Sequence, residues 1–197
     1  MELSELHDST TGERLYLNAE ERKLFFEATR FQEPDIKFFC QMLYFTGCRL
    51  NECLNITYDK FDFSEKGVFI ETLKRRKSGV YRFIDLPEDY LEKLNDVYHI
   101  QKRQAEPKRK VEKLWSFTDR TGQNHVKRVM QQAAINGKKA CPKGLRHAFG
   151  IAAVENKIPV QQIQEWLGHR YLDSTAIYTR TQGKERRGLA QRIWEAQ

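Results

Sequence analysis

The chain has no run of apolar residues approaching the roughly 20 that a membrane-spanning helix needs, which argues against a helical membrane protein. The stretch from Met1 to Leu17 is charged and polar throughout and lacks the apolar centre of a secretory signal, so the cytoplasm is the expected location. Its four cysteines, Cys40, Cys48, Cys53 and Cys141, show no paired metal-ligand spacing, and without a secretory context they make no disulfide framework; they are expected to be reduced and mostly buried. No internal repeat is present, which excludes solenoid architectures. At 197 residues and 40% hydrophobic the chain can bury one sizeable core, and two full domains do not fit.

Basic residues are present in excess. Lys and Arg number 34 against 27 Asp and Glu, a net charge of +7 with an isoelectric point near 9.2, and such a balance favours a polyanionic partner. A charge run alone is usually a solvated loop. Here Lys74-Arg75-Arg76-Lys77 follows a predicted strand and sits between motifs, which favours contact with phosphate. A second basic stretch, Lys102 to Lys113, is interrupted only by Glu106 and Glu112 among its charges and reads as a flexible loop.

Asn18 with Glu21 three residues on has the form of a capping box opening a helix that carries Leu24, Phe25 and Ala28. Pro34 suits the first turn of a second helix, with Ile36, Phe39, Cys40 and Leu43 at helical spacing until Gly47 stops it. Arg49 then stands at the start of a third, where Leu50, Cys53 and Leu54 face the core while Arg49 and Glu52, three apart, share another face. Residues Gly67 to Thr72 and Val80 to Leu86 read as a hairpin with a long basic tip, and Lys113 to Phe117 as a short further strand. Helices are expected over Glu88 to Gln104, Gln123 to Ile135, Pro142 to Asn156, Pro159 to Leu167, Asp173 to Thr181 and Gly183 to Ala196. Val160, Ile163, Trp166 and Leu167 form a helical apolar stripe that belongs to the core.

Three clusters carry the chemistry: Thr46-Gly47-Cys48-Arg49-Leu50-Asn51-Glu52, Lys143-Gly144-Leu145-Arg146-His147, and Leu167-Gly168-His169 with Tyr178 nine residues further. They bring a phenol into company with two guanidiniums. That set suits attack on a phosphodiester, because the group gaining charge is a phosphorane-like anion and an arginine's planar fork matches two phosphate oxygens. A tyrosine oxygen can hold the phosphoryl group and later release it to another hydroxyl. Singly, each residue has an ordinary structural explanation; jointly they would require four coincidences.

In order and spacing the clusters resemble the catalytic domain of the tyrosine recombinases, the phage-integrase family of site-specific DNA recombinases, from roughly residue 18 to the C-terminus. The resemblance implies an α+β domain, mainly α-helical with a small antiparallel β-sheet made of a hairpin plus one short strand. Arg49 and Arg146 would bind the non-bridging oxygens of the scissile phosphate, His169 would donate a further hydrogen bond, and Tyr178 would attack phosphorus. The product would be a 3′-phosphotyrosyl link with a free 5′ hydroxyl, the departing oxygen being protonated by a lysine of the hairpin. Lys74, 25 residues after Arg49, is preferred for that role; Lys77 is the alternative. Lys143 stands where the family usually has histidine, and as a cation it suits hydrogen bonding to phosphate better than proton relay. His147 is expected to pack against its neighbours, and Glu52 to orient or neutralise an arginine. Guanidiniums neutralise charge where other enzymes use magnesium, so neither a metal nor another cofactor is expected.

The implied organisation is a loose arm over residues 1–17 and a catalytic domain over 18–197, without the separate core-binding domain of many relatives. The chain is then either a fragment of a longer integrase or akin to recombinases that look like lone catalytic domains. Double-stranded DNA is the expected partner, with self-association on it through the final helix, where Ala190, Ile193 and Trp194 share a stripe. Two other functions fit the same residues: a DNA-binding accessory protein of this fold without turnover, and a topoisomerase of the type IB kind.

Overall fold

The computed structural model describes residues 6–73, 79–169 and 173–179. Helix α1 (Ala19–Thr29) starts at the expected capping box: the Asn18 side chain accepts from the Glu21 amide at 2.8 Å and the Glu21 carboxylate accepts from the Asn18 amide at 2.9 Å, a motif worth about 1 kcal/mol. Helix α2 (Pro34–Thr46) buries Phe38, Phe39, Cys40, Met42 and Leu43 and so runs through the middle of the core, as a helix apolar on most sides must. Gly47 ends it in the left-handed conformation at φ 58°, its amide donating to the Leu43 carbonyl at 3.0 Å. A Cβ there would also lie 2.6 Å from the Phe149 ring, so glycine is required twice over.

Helix α3 (Leu50–Leu54) leads to a three-stranded antiparallel sheet in the order β1 (Phe61–Asp62), β2 (Gly67–Glu71), β3 (Tyr81–Asp85). The register pairs Val68 with Ile84 and Ile70 with Arg82, so these four side chains share the buried face while Phe69 and Phe83 pair on the other. The C-terminal half is helical: α4 (Glu88–Tyr98), α5 (Ile100–Gln104), α6 (Asp119–Gln132), α7 (Pro142–Glu155), α8 (Val160–Leu167) and α9 (Asp173–Thr179). The α+β architecture, mainly helical with a small antiparallel sheet, is the one expected. Ile163 and Leu167 of the α8 stripe are fully buried. All four cysteines are free, and Cys40, Cys48 and Cys53 are buried. No helix among the described residues is long and apolar enough to cross a membrane.

Four local expectations are corrected. Lys113 to Phe117 forms no strand; Lys113 makes one isolated bridge to Thr57, and the third strand is the two-residue β1, too short to show alternation. The helix expected over Glu88 to Gln104 is broken at His99, which turns left-handed at φ 53° while the Asn95 side chain accepts from the Gln101 amide at 3.0 Å and restarts the chain as α5. Helix α6 begins four residues before Gln123, because Thr118 caps it by accepting from the Thr121 amide. The stretch Lys102 to Lys113 is no loose loop: the Asp59 amide donates to the Lys110 carbonyl at 2.9 Å, and the Arg103 guanidinium lies 4.8 Å from the Tyr58 ring centre.

The arm expected over residues 1–17 also packs where it is described. Asp8 closes a turn by accepting from the Thr10 and Thr11 amides, His7 and Arg14 bridge, and Leu6 and Leu17 are buried. Leu6 belongs to a second, smaller apolar cluster with Ile151, Ala153, Ile163, Leu167 and Tyr178, and this cluster seats α9. The segment expected as a final helix over residues 183–196 lies outside the described residues.

Candidate active site

Arg49 is the residue immediately before α3, placed there by the turn at Gly47. Its amide and its guanidinium both donate to Glu52, at 2.9 and 2.7 Å. The amide reaches Oε2 and the guanidinium Oε1; Arg82 from β3 also donates to Oε2, at 2.6 Å, so one buried carboxylate fixes two guanidiniums. Burial opposes the charge on Glu52, but Arg82, then the Arg49 amide and guanidinium, outweigh it and hold the carboxyl below its usual range. Arg82 also donates to the Trp166 carbonyl at 2.7 Å and the Thr72 hydroxyl at 2.9 Å, which ties β2, β3 and the end of α8 together.

Arg146 comes from the first turns of α7 and is 7% exposed. It donates to the Gly47 carbonyl at 2.9 Å and the Leu167 carbonyl at 2.7 Å. One guanidinium therefore joins the three sequence clusters. Burial, and then the neighbouring Arg49, bring its pKa down to about 10, which leaves it charged at neutral pH.

Helix α9 packs against α7 and α8 and delivers Tyr178, whose ring is 1% exposed. The ring lies over Gly150, where a Cβ would sit 2.7 Å from it. The Tyr178 hydroxyl is 3.1 Å from Nδ1 of His147. His169 follows the left-handed Gly168 that ends α8, lies parallel to the Tyr178 ring at 6.3 Å and shares a 2.9 Å hydrogen bond with the buried Thr175 hydroxyl through Nδ1. Both imidazoles are held neutral at pH 7: burial, then Lys143 and Arg146, push His147 to about 4, and burial, then Arg146 and Arg49, push His169 to about 3.

A cleft of about 940 Å³ is lined by Arg49, Lys143, Arg146, His147, His169 and Tyr178, among others. Five of the six residues singled out from the sequence are thus together: Arg49, Arg146, His169 and Tyr178 inside, with Lys143 exposed at the edge. The sixth, Lys74, lies outside the described residues, as does Lys77; Leu73, just before Lys74, lines the cleft. Glu52 plays the orienting part expected of it. His147 does more than the packing expected of it, since it hydrogen-bonds the phenol. Arg82 and Thr175 were missed. For Arg82 a signal existed: it is in phase with Ile84 and Leu86 on the core-facing side of its strand, where a charge needs a buried partner.

A cleft that sets two anchored guanidiniums beside a phenol and two neutral imidazoles, on a helical domain with a small sheet, has the donors that could hold an anion such as a phosphodiester and a hydroxyl that could serve as a nucleophile. The family model described as the phage integrase family matches residues 15–185. The chain belongs to the phage integrase family. It is 31% identical over 152 residues to the tyrosine recombinase XerA of Pyrococcus furiosus, covering 77% of this chain and 52% of that protein. In fold it is similar to the XerH site-specific recombinase solved bound to palindromic difH substrate as a post-cleavage complex, with TM-score 0.73 and 24% identity over 95% of this chain and 56% of the other. It is also similar to the Tn1549 transposon integrase in complex with transposon right end DNA, with TM-score 0.68 and 15% identity over 90% of this chain and 65% of the other. The chain spans about half the length of the curated relatives it matches.

Proposed function

We propose that this chain is the catalytic domain of a site-specific DNA recombinase that cleaves and rejoins double-stranded DNA through a 3′-phosphotyrosyl intermediate. The carrying observation is that Arg49, Arg146, His169 and Tyr178, spread over three sequence clusters, line one cleft. Arg49 and Arg146 bind the non-bridging oxygens and stabilise the charge that grows on them at the transition state. With the Thr175 hydroxyl donating to Nδ1 of His169, the ring proton sits on Nε2 and is donated to the phosphate. Lys143 adds a further donor at the rim. Tyr178 attacks, and Lys74, or Lys77 in its place, protonates the 5′ oxygen. The phosphotyrosine keeps the energy of the broken bond, so rejoining needs no nucleotide.

The catalytic unit runs from about residue 18 to the C-terminus, and the stripe of Ala190, Ile193 and Trp194 supports self-association of protomers on DNA through that segment. Similarity to recombinases and integrases supports DNA as partner and the cytoplasm as location.

The test is a nicked suicide substrate containing a site selected from random DNA by binding. The unsubstituted chain forms a covalent adduct; Tyr178→Phe binds the same DNA and forms none. Lys74→Ala slows cleavage much more than binding, and loss of cleavage in Lys77→Ala alone would move the acid to Lys77. Tight binding without adduct by the unsubstituted chain means an accessory protein, and relaxation of any supercoiled plasmid without site preference means a topoisomerase.

A further inference from the structure

We propose that His147 is a catalytic residue, the general base whose Nδ1 takes the phenolic proton of Tyr178 as its oxygen bonds to phosphorus. The inference rests on the recombinase reading and adds to it a residue that the family resemblance left as packing. Free tyrosine, with a pKa of about 10, is ionised in about one molecule per thousand at neutral pH, so an attacking phenol needs somewhere to send its proton. In the described cleft that destination is 3.1 Å away.

The surroundings fix what His147 can be. It follows Arg146 directly on α7, so the helix that brings the phosphate-binding guanidinium also brings the imidazole, and the side chain is 6% exposed. The charged and titratable groups facing it are Lys143 and Arg146 on its own helix, His169 after α8 and Tyr178 on α9. Burial, and then the two cations, keep the resting ring neutral, and a neutral ring has one N–H and one lone pair. A phenol is the stronger donor and a bare imidazole nitrogen the stronger acceptor, so the hydrogen bond runs from Tyr178 to Nδ1 and the ring proton stays on Nε2. That Nε2 is buried and has no hydrogen-bond partner among the described residues, a cost that a purely structural histidine has no reason to carry. Lys143, an ammonium, has no lone pair to offer, and Nδ1 of His169 is engaged by Thr175.

The step balances without any co-reactant. The O–H bond of Tyr178 breaks and its proton goes to Nδ1; the Tyr178 oxygen bonds to phosphorus; the bond from phosphorus to the 5′ oxygen breaks, and that oxygen takes its proton from the hairpin lysine. The imidazolium sits beside Lys143 and Arg146 and is therefore poised to return its proton to Tyr178 when a 5′ hydroxyl attacks and the phenol leaves.

The experiment measures adduct formation on the nicked substrate from pH 6 to 9. His147→Asn keeps a hydrogen-bonding atom near Nδ1 but accepts no proton. DNA binding is expected to persist, while the adduct rate at pH 7 falls on the order of 100-fold and then climbs about tenfold per pH unit, as solvent takes over deprotonation. The unsubstituted chain is expected to vary little over the same range. The variant stays slow on a substrate with sulfur at the 5′ bridging position, which leaves without a proton; recovery of speed there would make His147 an acid and overturn the proposal. An unchanged rate, or a lower rate with the pH profile of the unsubstituted chain, also overturns it. Should the variant fail to fold, nitrogen NMR of the unsubstituted chain decides: a bare, pyridine-like Nδ1 on His147 supports the proposal and a protonated Nδ1 sinks it. Absence of any adduct from the unsubstituted chain removes the recombinase reading with it, whereas an adduct formed equally fast by His147→Asn removes this inference alone.

Discussion

Glu52 and Arg82 carry the charge balance of the cleft. Both are buried, and they meet at 2.6 Å, so replacing Arg82 by a neutral side chain leaves a carboxylate inside the protein with Arg49 as its remaining guanidinium. Arg82→Met is expected to cost on the order of 3 kcal/mol in chemical denaturation, and joint replacement of Glu52 and Arg82 by apolar residues of similar size much less, because the cost lies in the orphaned charge. The two histidines give a pH dependence whose sign follows from burial. Each titrates below the ordinary 6.5 when folded, so the unfolded chain binds protons first; stability is intact above pH 6.5 and is lost as pH falls from there toward about 3. For His147, held at about 4, the full loss is on the order of 3 kcal/mol at about 1.4 kcal/mol per pH unit. Urea unfolding at pH 7 and pH 5 should show His147→Asn losing less stability on acidification than the unsubstituted chain, and an equal loss would show that the imidazole is not held neutral.

Among the elements, α9 is the one whose seating decides whether Tyr178, the proposed nucleophile, is in place. Its Tyr178 ring occupies the space above Gly150 on α7, and the small apolar cluster of Leu6, Ile163 and Leu167 holds the rest. Gly150→Ala puts a methyl 2.7 Å from that ring. Alanine favours the helix itself, so α7 stays intact while Tyr178 is displaced. The expected outcome is DNA binding within a few-fold of normal, thermal stability lowered by a few degrees, and adduct formation reduced at least on the order of 100-fold, since small misplacements of a reacting group are costly. Normal cleavage by this variant would show that Tyr178 acts from another position. The same elements show where sequence signals end. The capping box of α1, the proline and glycine that bracket α2, and the starts of α7 and α8 are written in local chemistry and stand where expected. The break at His99 is not, because it depends on a left-handed turn at a residue that no steric rule selects. Strand β1 is not, because two residues cannot display a period.

For the whole molecule, the net charge of +7 would make the proposed association with DNA largely a matter of counterion release. If about six phosphates are neutralised, affinity should fall roughly 10³-fold between 50 and 200 mM salt in a gel-shift or anisotropy titration, and a flat salt response would remove the basic clusters from the interface. The family and the candidacy of Arg49, Arg146, His169 and Tyr178 were legible in the sequence alone, because the first three sit in short clusters with glycine or leucine neighbours and Tyr178 follows the last of these clusters at a fixed spacing of nine residues. What those residues touch was decided only by the tertiary structure. Glu52 is 30 positions from Arg82, Arg146 is 99 from Gly47, and His147 is 31 from Tyr178, so no local pattern links them. Packing of α7 against α2 and α9, and of the sheet against α3 and the end of α8, chose those partners. The physical reason is that a buried charge or a buried phenol must find a hydrogen-bonding partner wherever the fold brings one within reach, and sequence distance carries no information about that reach.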